Sequence, residues 1–243
     1  MGRILTTANA TPREGPMAVL SAVMEDYIKA IYVLERESGE RVATSDLAEY
    51  LDVTPPTVSS MLGKLAERGL IDREEYRGVT LTEEGELVAL EILRHHRLIE
   101  SFLTEQLDYD WADVHEEADR LEHHISEQFE ERIAAALDDP GLDPHGDPIP
   151  DAELRLPPEA GDRVRLSDAA VGEQVRVQRI RNQDEDSLRY LAEAGVRPGT
   201  ELEVVDVAPF GMVTVAVEDG EQSLPADVAG HIEVEPVAEE AEA

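Results

Sequence analysis

The sequence predicts a mainly α-helical chain that ends in an all-β domain, and three features carry that prediction. Apolar residues recur at helical spacing over most of the stretch from about residue 20 to 137. Inside that stretch, two short helix patterns joined by a tight turn run directly into a hairpin pattern. After a run rich in proline and glycine, "QVRVQRI", "ELEVVDVA" and "MVTVAVE" alternate apolar and polar residues at period two.

Residues 1–17 hold Gly, Pro, Thr and Asn without periodicity and are expected to form a disordered tail. From about 20 to 37, Val23, Tyr27, Ile31 and Leu34 share a helical face, and Gly39 ends the helix. Thr44 or Ser45 is expected to cap the next helix, with Leu47, Ala48 and Leu51 inside. Thr54 is expected to cap the one after it, Pro55 sits in its first turn where a missing N–H costs nothing, and Gly69 closes it. "LIDREEYRGVTLT" reads as two short strands flanking Tyr76, Arg77 and Gly78. Helix, helix-turn-helix and hairpin in this order make a winged helix over residues 18–81.

Thr82, with Glu84 and Glu86, opens a long helix to about 107, and a further helix is expected from Trp111 to about Leu137. These form a second helical domain over 82–152. "DDPGLDPHGDPIPDAELRLPPEAGD" breaks all periodicity and holds a linker over 153–163. A small barrel-like β domain then occupies 164–237, and 238–243 is an acidic tail.

Composition narrows the chemistry. Cysteine is absent, so any metal must be held by oxygen and imidazole, and no disulfide framework exists. No stretch approaches the roughly 18 consecutive apolar residues of a membrane span. The first residues lack the apolar core of a signal peptide, so a cytoplasmic protein without a membrane partner is expected. The net charge of −34 would ordinarily oppose nucleic-acid binding. Here the acid is spread over every segment and only two lysines, Lys29 and Lys64, occur, a bias expected of a halophile, where screening is nearly complete.

The second helix of a helix-turn-helix enters the major groove by its N-terminal residues. In this chain those are Thr54, Pro56, Thr57, Ser59 and Ser60, with Lys64 further along, and no acid intrudes among them. Hydroxyls and methyls suit phosphates, base edges and thymine methyls, and Arg73 and Arg77 of the hairpin would meet phosphate or the minor groove. "HEEADRLEHH" packs three histidines and four carboxylates into residues 115–124. Read as helix, it puts His115, Asp119, Glu122 and His123 along one stripe, and the bland alternative is a solvated face of i,i+4 pairs. His96 and Glu100 repeat the one-turn spacing of His115 and Asp119, so antiparallel packing would bring both pairs together.

"MEDYIKAIYVLE", "LAEYLDVTPPTVSSMLGKL", "YRGVTLTEEG", "RHHRLIESFL", "HEEADRLEHHIS" and "DPHGDPIP" resemble the diphtheria toxin repressor family of metal-dependent transcriptional regulators. The resemblance implies a winged-helix domain, a helical metal-binding and dimerisation domain, and an SH3-like C-terminal domain similar to those of ferrous-iron transport accessory proteins. It places a primary metal set on Asp26, Asp119, Glu122 and His123, and an ancillary set on His96, Glu100 and His115. Further ancillary ligands are expected from the C-terminal domain near Asp184 to Ser187, with Asp184 named for that role. His95, His124, His145 and His231 have no partner at a telling spacing and are read as structural.

Asp26 and Asp119 stand where the iron-sensing branch usually carries methionine and cysteine, and Lys29 stands where the manganese-sensing branch usually has a glutamate. Three carboxylates and one imidazole suit Mn²⁺ or Fe²⁺ better than a structural Zn²⁺. The expected function is a metal-dependent repressor of metal-uptake genes that binds a palindromic DNA operator as a homodimer, with no small-molecule substrate. Two other readings are a metal-independent winged-helix regulator, which would treat the cluster as salt bridges, and a metallohydrolase. Nothing beside the cluster resembles a nucleophile elbow or an H-E-x-x-H helix, so no enzyme is expected.

Overall fold

The structure, a computed structural model, describes residues 20–74, 77–158, 163–182, 184–209, 211–218 and 220–237. The expected tails at 1–17 and 238–243, the hairpin-tip Tyr76 and part of the expected linker lie outside them. The chain divides into two compact units, the first ending at Thr80 and the second beginning at Leu81.

In the first unit, α1 (Ala22–Ser38) starts where the Ser21 side chain accepts a hydrogen bond from Met24 N, and ends at Gly39 with φ 68°. Its buried face is Met24, Tyr27, Ile28, Ala30, Ile31 and Tyr32, whereas Val23 is exposed, contrary to the expected stripe. Helix α2 (Thr44–Tyr50) begins after Ala43 with no side-chain cap, so neither Thr44 nor Ser45 serves as the expected one. Helix α3 (Pro55–Glu67) does begin at Thr54, but the Thr54 hydroxyl meets the Thr57 hydroxyl at 2.9 Å and caps no backbone N–H. Strands β1 (Ile71–Glu74) and β2 (Gly78–Leu81) form the wing. Gly78 is required there: at φ 95° a Cβ would stand 2.4 Å from Val42 O, where the bridge between Val42 and Val79 ties the wing to the α1–α2 connection.

In the second unit, α4 (Glu83–Leu107) is capped by Thr82, whose side chain accepts from Gly85 N. The single helix expected from Trp111 to Leu137 is two helices, α5 (Val114–Leu121) and α6 (Glu127–Ala136). The break is chemical: the Ser126 side chain accepts from Phe129 N, and Glu127 and Glu130 lie in the first turn of α6, where carboxylates are favoured. Leu98, Ile99 and Leu103 of α4 join Val114 and Ala118 of α5 and Ile133 and Ala134 of α6 in one core. Ala118, fully buried and small, lets α5 lie close on α4.

The C-terminal part holds a six-stranded antiparallel sheet in the order β3-β8-β4-β5-β6-β7. Its strands are β3 (Val164–Arg165), β4 (Gln174–Ile180), β5 (Glu201–Val207), β6 (Val213–Val217), β7 (Gly220–Leu224) and β8 (Ile232–Pro236), with helices α7 (Glu185–Glu193) and α8 (Ala226–Ala229) between them. Val175, Val177 and Ile180 all face the core although the last step is odd, because the register shifts between Val177 and Arg179 and adds one residue. That core also takes in Trp111 and Ala112 from just before α5. Among the described residues, no helix is long and apolar enough to cross a membrane.

Candidate metal centre and nucleic-acid interface

The packing of α4 on α5 gathers the expected ancillary residues. His96 Nε2, His115 Nδ1 and Glu100 Oε1 form a triangle whose three edges are each 3.0 Å. Ligands held about 2.1 Å from one ion at right angles stand about 3 Å apart, so the triangle fits three adjacent positions of an octahedral divalent cation. Glu100 is fully buried; burial alone would raise its pKa, but the charge of His96, hydrogen bonds with His115 and His96 and the nearby His145 ring hold it well below the usual carboxylate range. Asp119 Oδ1 lies 3.3 Å from His96 Nδ1 and its Oδ2 lies 3.7 Å from His115 Nε2, so Asp119 stands with His96 and His115.

Glu122 and His123 follow the last residue of α5 and sit in the turn before α6, so the straight helical stripe expected from His115 to His123 is half right. The turn nonetheless brings Glu122 Oε2 within 2.5 Å of His96 Nδ1, while Glu122 Oε1 lies 3.5 Å from His123 Nε2. His96 therefore touches residues of both expected sets, one through each ring nitrogen. Asp26, the remaining member of the primary set, lies on α1 in the first unit.

A third group was invisible to sequence periodicity. Glu100, Asp143 and His145 are all buried and offer ligand atoms within 4.8 Å of one another. Among the described residues, three of their atoms, Glu100 Oε2, Asp143 Oδ2 and His145 Nδ1, have no hydrogen-bond partner. Buried polar atoms are rarely left so, and carboxylate oxygens around an imidazole nitrogen are the donors a hard divalent cation takes. The Asp143 carboxyl is pushed up to about 8 by burial and by the charges of Asp147 and Glu100, against Arg97 and His145. His145 is raised: burial opposes this, but the facing Glu100 and Asp143 carboxylates outweigh it.

The segment holding these residues is the front of the proline- and glycine-rich run that precedes the expected linker, and it is built as part of the core. Asp143 Oδ1 accepts from His145 N at 2.8 Å and Asp147 N at 2.9 Å, closing a tight turn. Trp111 Nε1 donates to Pro144 O at 2.8 Å, and Ile180 N donates to His145 O at 2.9 Å. Asp147 pairs with both Arg97 and Arg179. Alternating Asp143, His145 and Asp147 were the available signal, masked by the prolines and glycines between them.

Asp184 is not brought to this cluster: it is the N-cap of α7, accepting from Ser187 N at 3.0 Å. Hydrogen bonds from the Ser187 side chain and backbone hold its pKa low. His95 is also more than structural filler, since its ring joins Glu122 O and Glu130.

On the first unit, α3 buries Val58, Leu62 and Leu65 and exposes Thr54, Pro56, Thr57, Ser60 and Lys64, with Ser59 half-buried. Arg73 and Arg77 are exposed on the wing. Arg77 pairs with Glu74 at 2.8 Å, and Arg41 pairs with Asp72 at 3.0 Å and Glu74 at 3.3 Å. Exposed pairs of this kind are worth at most about 1 kcal/mol, so Arg77 can exchange Glu74 for a phosphate at little cost.

A helix-turn-helix with a wing, followed by a helical domain carrying an imidazole and carboxylate cluster, defines a metal-responsive DNA-binding regulator. Comparison with known proteins agrees. Residues 19–79 match the iron dependent repressor N-terminal DNA binding domain, 82–151 its metal binding and dimerisation domain, and 164–236 the FeoA domain. The iron-dependent repressor IdeR of Mycobacterium tuberculosis is 35% identical over 225 residues, covering 88% of this chain and 96% of that one. The diphtheria toxin repressor of Corynebacterium efficiens is 34% identical over 221 residues, covering 88% and 95%. A manganese-dependent transcriptional repressor solved in complex with manganese is 38% identical, covers 88% of this chain and 100% of that one, and superposes with a TM-score of 0.80. T. acidophilum IdeR gives 29%, 90%, 100% and 0.74. The chain belongs to the diphtheria toxin repressor and IdeR family of metal-dependent transcriptional repressors. That family is one of regulators, which removes the metallohydrolase reading.

Proposed function

We propose that this chain binds a palindromic operator as a homodimer in the cytoplasm when loaded with Mn²⁺ or Fe²⁺, and so represses genes of metal uptake. The observation that carries the metal part is the triangle of His96, Glu100 and His115, with edges of 3.0 Å between atoms that all suit a hard divalent ion. Asp143 and His145 extend the ancillary set through the other oxygen of Glu100. Asp119, Glu122 and His123 form the primary set, and Asp26 enters it on the sequence resemblance alone. The names of the relatives support both metals, since some are iron-dependent repressors and others manganese-dependent.

A bound cation supplies positive charge that relieves the repulsion among these carboxylates and gives the histidine nitrogens an acceptor of their lone pairs. On the DNA side, Thr54, Pro56, Thr57, Ser59, Ser60 and Lys64 are proposed to enter the major groove, with Arg73 and Arg77 on the flanking backbone. With a net charge of −34 and few phosphate contacts, operator binding should have a shallow salt slope and persist at molar salt. Equilibrium dialysis of the purified protein against Mn²⁺ tests the site: we expect more than one ion per chain, and loss of the primary ion in His123→Ala. A parent protein that takes up no Mn²⁺ would leave the metal-independent regulator as the better reading.

A further inference from the structure

His95 stands beside the metal-binding residues and touches none of the atoms proposed to hold an ion, yet both of its ring nitrogens are engaged. Nδ1 lies 3.2 Å from the backbone oxygen of Glu122, and Nε2 lies 3.1 Å from Glu130 Oε2. Helix α5 ends at Leu121, so the carbonyls of its last turn and of the residue after it need partners from outside the helix. His95 supplies one of them. The neighbouring residue of α4, His96, meets the same Glu122 through its carboxylate at 2.5 Å. One helix thus holds Glu122 at two points, main chain and side chain.

The ring is itself held. Glu130 comes from the first turn of α6 and presents its other oxygen to Arg94 Nε, while Arg94 Nη1 donates to Pro150 O at 2.5 Å. All three side chains are largely buried, with 9%, 12% and 14% of Arg94, His95 and Glu130 exposed. Glu130 is kept below the usual carboxylate range, because hydrogen bonds and charge from His95 and Arg94 outweigh the effect of burial. A chain of fixed contacts therefore runs from α6 and the 142–150 segment, through Glu130 and His95, to the turn that carries Glu122 and His123.

We propose that His95, oriented by Glu130, is a positioning residue that presets the Glu122–His123 turn for a divalent cation and thereby sets the metal concentration at which the protein responds. The proposal rests on the reading of Glu122 and His123 as metal ligands. Groups that orient ligands are worth about 10- to 100-fold in metal affinity when removed. A histidine that merely satisfied an orphan carbonyl would affect folding and leave the affinity of the folded protein unchanged.

Mn²⁺ titrations of the full chain, followed by the electron paramagnetic resonance of free Mn²⁺, separate these cases when run on the parent, His95→Leu, His95→Gln, Glu130→Gln and His123→Ala. Two further readouts are the visible spectrum of the Co²⁺ form and amide hydrogen exchange of residues 122–126 in the metal-free protein. His95→Leu should weaken Mn²⁺ binding by about 10- to 100-fold, change the Co²⁺ spectrum and speed exchange in the turn. His95→Gln, whose amide N–H can still donate to Glu122 O, should recover most of the affinity, and Glu130→Gln should weaken binding in the same direction. Parental Mn²⁺ affinity and Co²⁺ spectrum in His95→Leu, with His123→Ala defective, would overturn the positioning role while leaving the site in place. Should His95→Leu not fold, parental affinity in Glu130→Gln overturns it equally. Parental affinity in His123→Ala would remove the site reading, and this inference with it.

Discussion

The titration of single buried residues has a sign that can be worked out from their surroundings. Asp143 has a carboxyl pushed up to about 8 in the folded chain, by burial first and then by Asp147 and Glu100. Its value in an unfolded chain is about 3.9. Between these limits the unfolded chain releases the proton and the folded chain keeps it, so the metal-free protein loses stability as pH rises through that window. His145, raised by Glu100 and Asp143, contributes stability below its unfolded value that is likewise lost as pH rises through the folded one. Glu100 and Glu130, held low by their histidine and arginine neighbours, act oppositely, and their contribution is lost as pH falls below about 4. The metal-free chain should therefore be most stable on the acid side of neutrality. Asp143→Asn keeps an oxygen for the N–H groups of His145 and Asp147 and removes the titration. Thermal unfolding in the presence of chelator should show its advantage over the parent growing steadily from pH 5 to pH 8; parallel pH profiles for the two would contradict this.

At the scale of elements, the segment 142–149 is the piece on which the helical and β parts of the second unit meet. Gly146 lies at φ 87°, and a Cβ there would stand 2.0 Å from Gln178 O and 2.9 Å from Arg179 Cα of β4. Gly146→Ala should separate the segment from β4 and cost at least about 2 kcal/mol, from backbone strain together with the clash. Trp111 is the sole tryptophan of the chain, is buried in the β-domain core and donates to Pro144 O. Its emission should shift to the red in this variant, and an unshifted spectrum with parental stability would show that the close approach is not needed. This segment also marks the limit of what the sequence discloses. Helices α1, α3 and α4 and strands β4 to β6 were legible because their burial follows one period over several residues. The elements β7, β8 and α7 were not legible, since "GEQSL" and "IEVEP" are short and polar and α7 opens on the charged run from Asp184 to Asp186. The meeting of α4 and α5 at these side chains was legible because His96 with Glu100 and His115 with Asp119 each span one helical turn, whereas the ancillary set itself came from the resemblance. Asp143 and His145 were not legible, because they reach Glu100 through a turn held by side chains, which carries no periodicity.

For the molecule as a whole, each part makes sense only if metal binding and DNA binding are coupled. The hydroxyl-rich α3 carries one lysine among its proposed contacts on a chain of net charge −34, so long-range attraction to DNA contributes little and the protein needs a specific state competent to bind. A cation that binds this state better than others shifts the population toward it, and by reciprocity DNA must tighten the metal by the same factor. Selection of bound duplexes from a random DNA library at molar salt, carried out in parallel with Mn²⁺ and with chelator, measures that coupling most directly. We predict enrichment of a palindromic sequence with Mn²⁺, and Mn²⁺-dependent binding to that sequence that is lost in His123→Ala. The same sequence enriched, and bound equally well, in the presence of chelator would contradict the account.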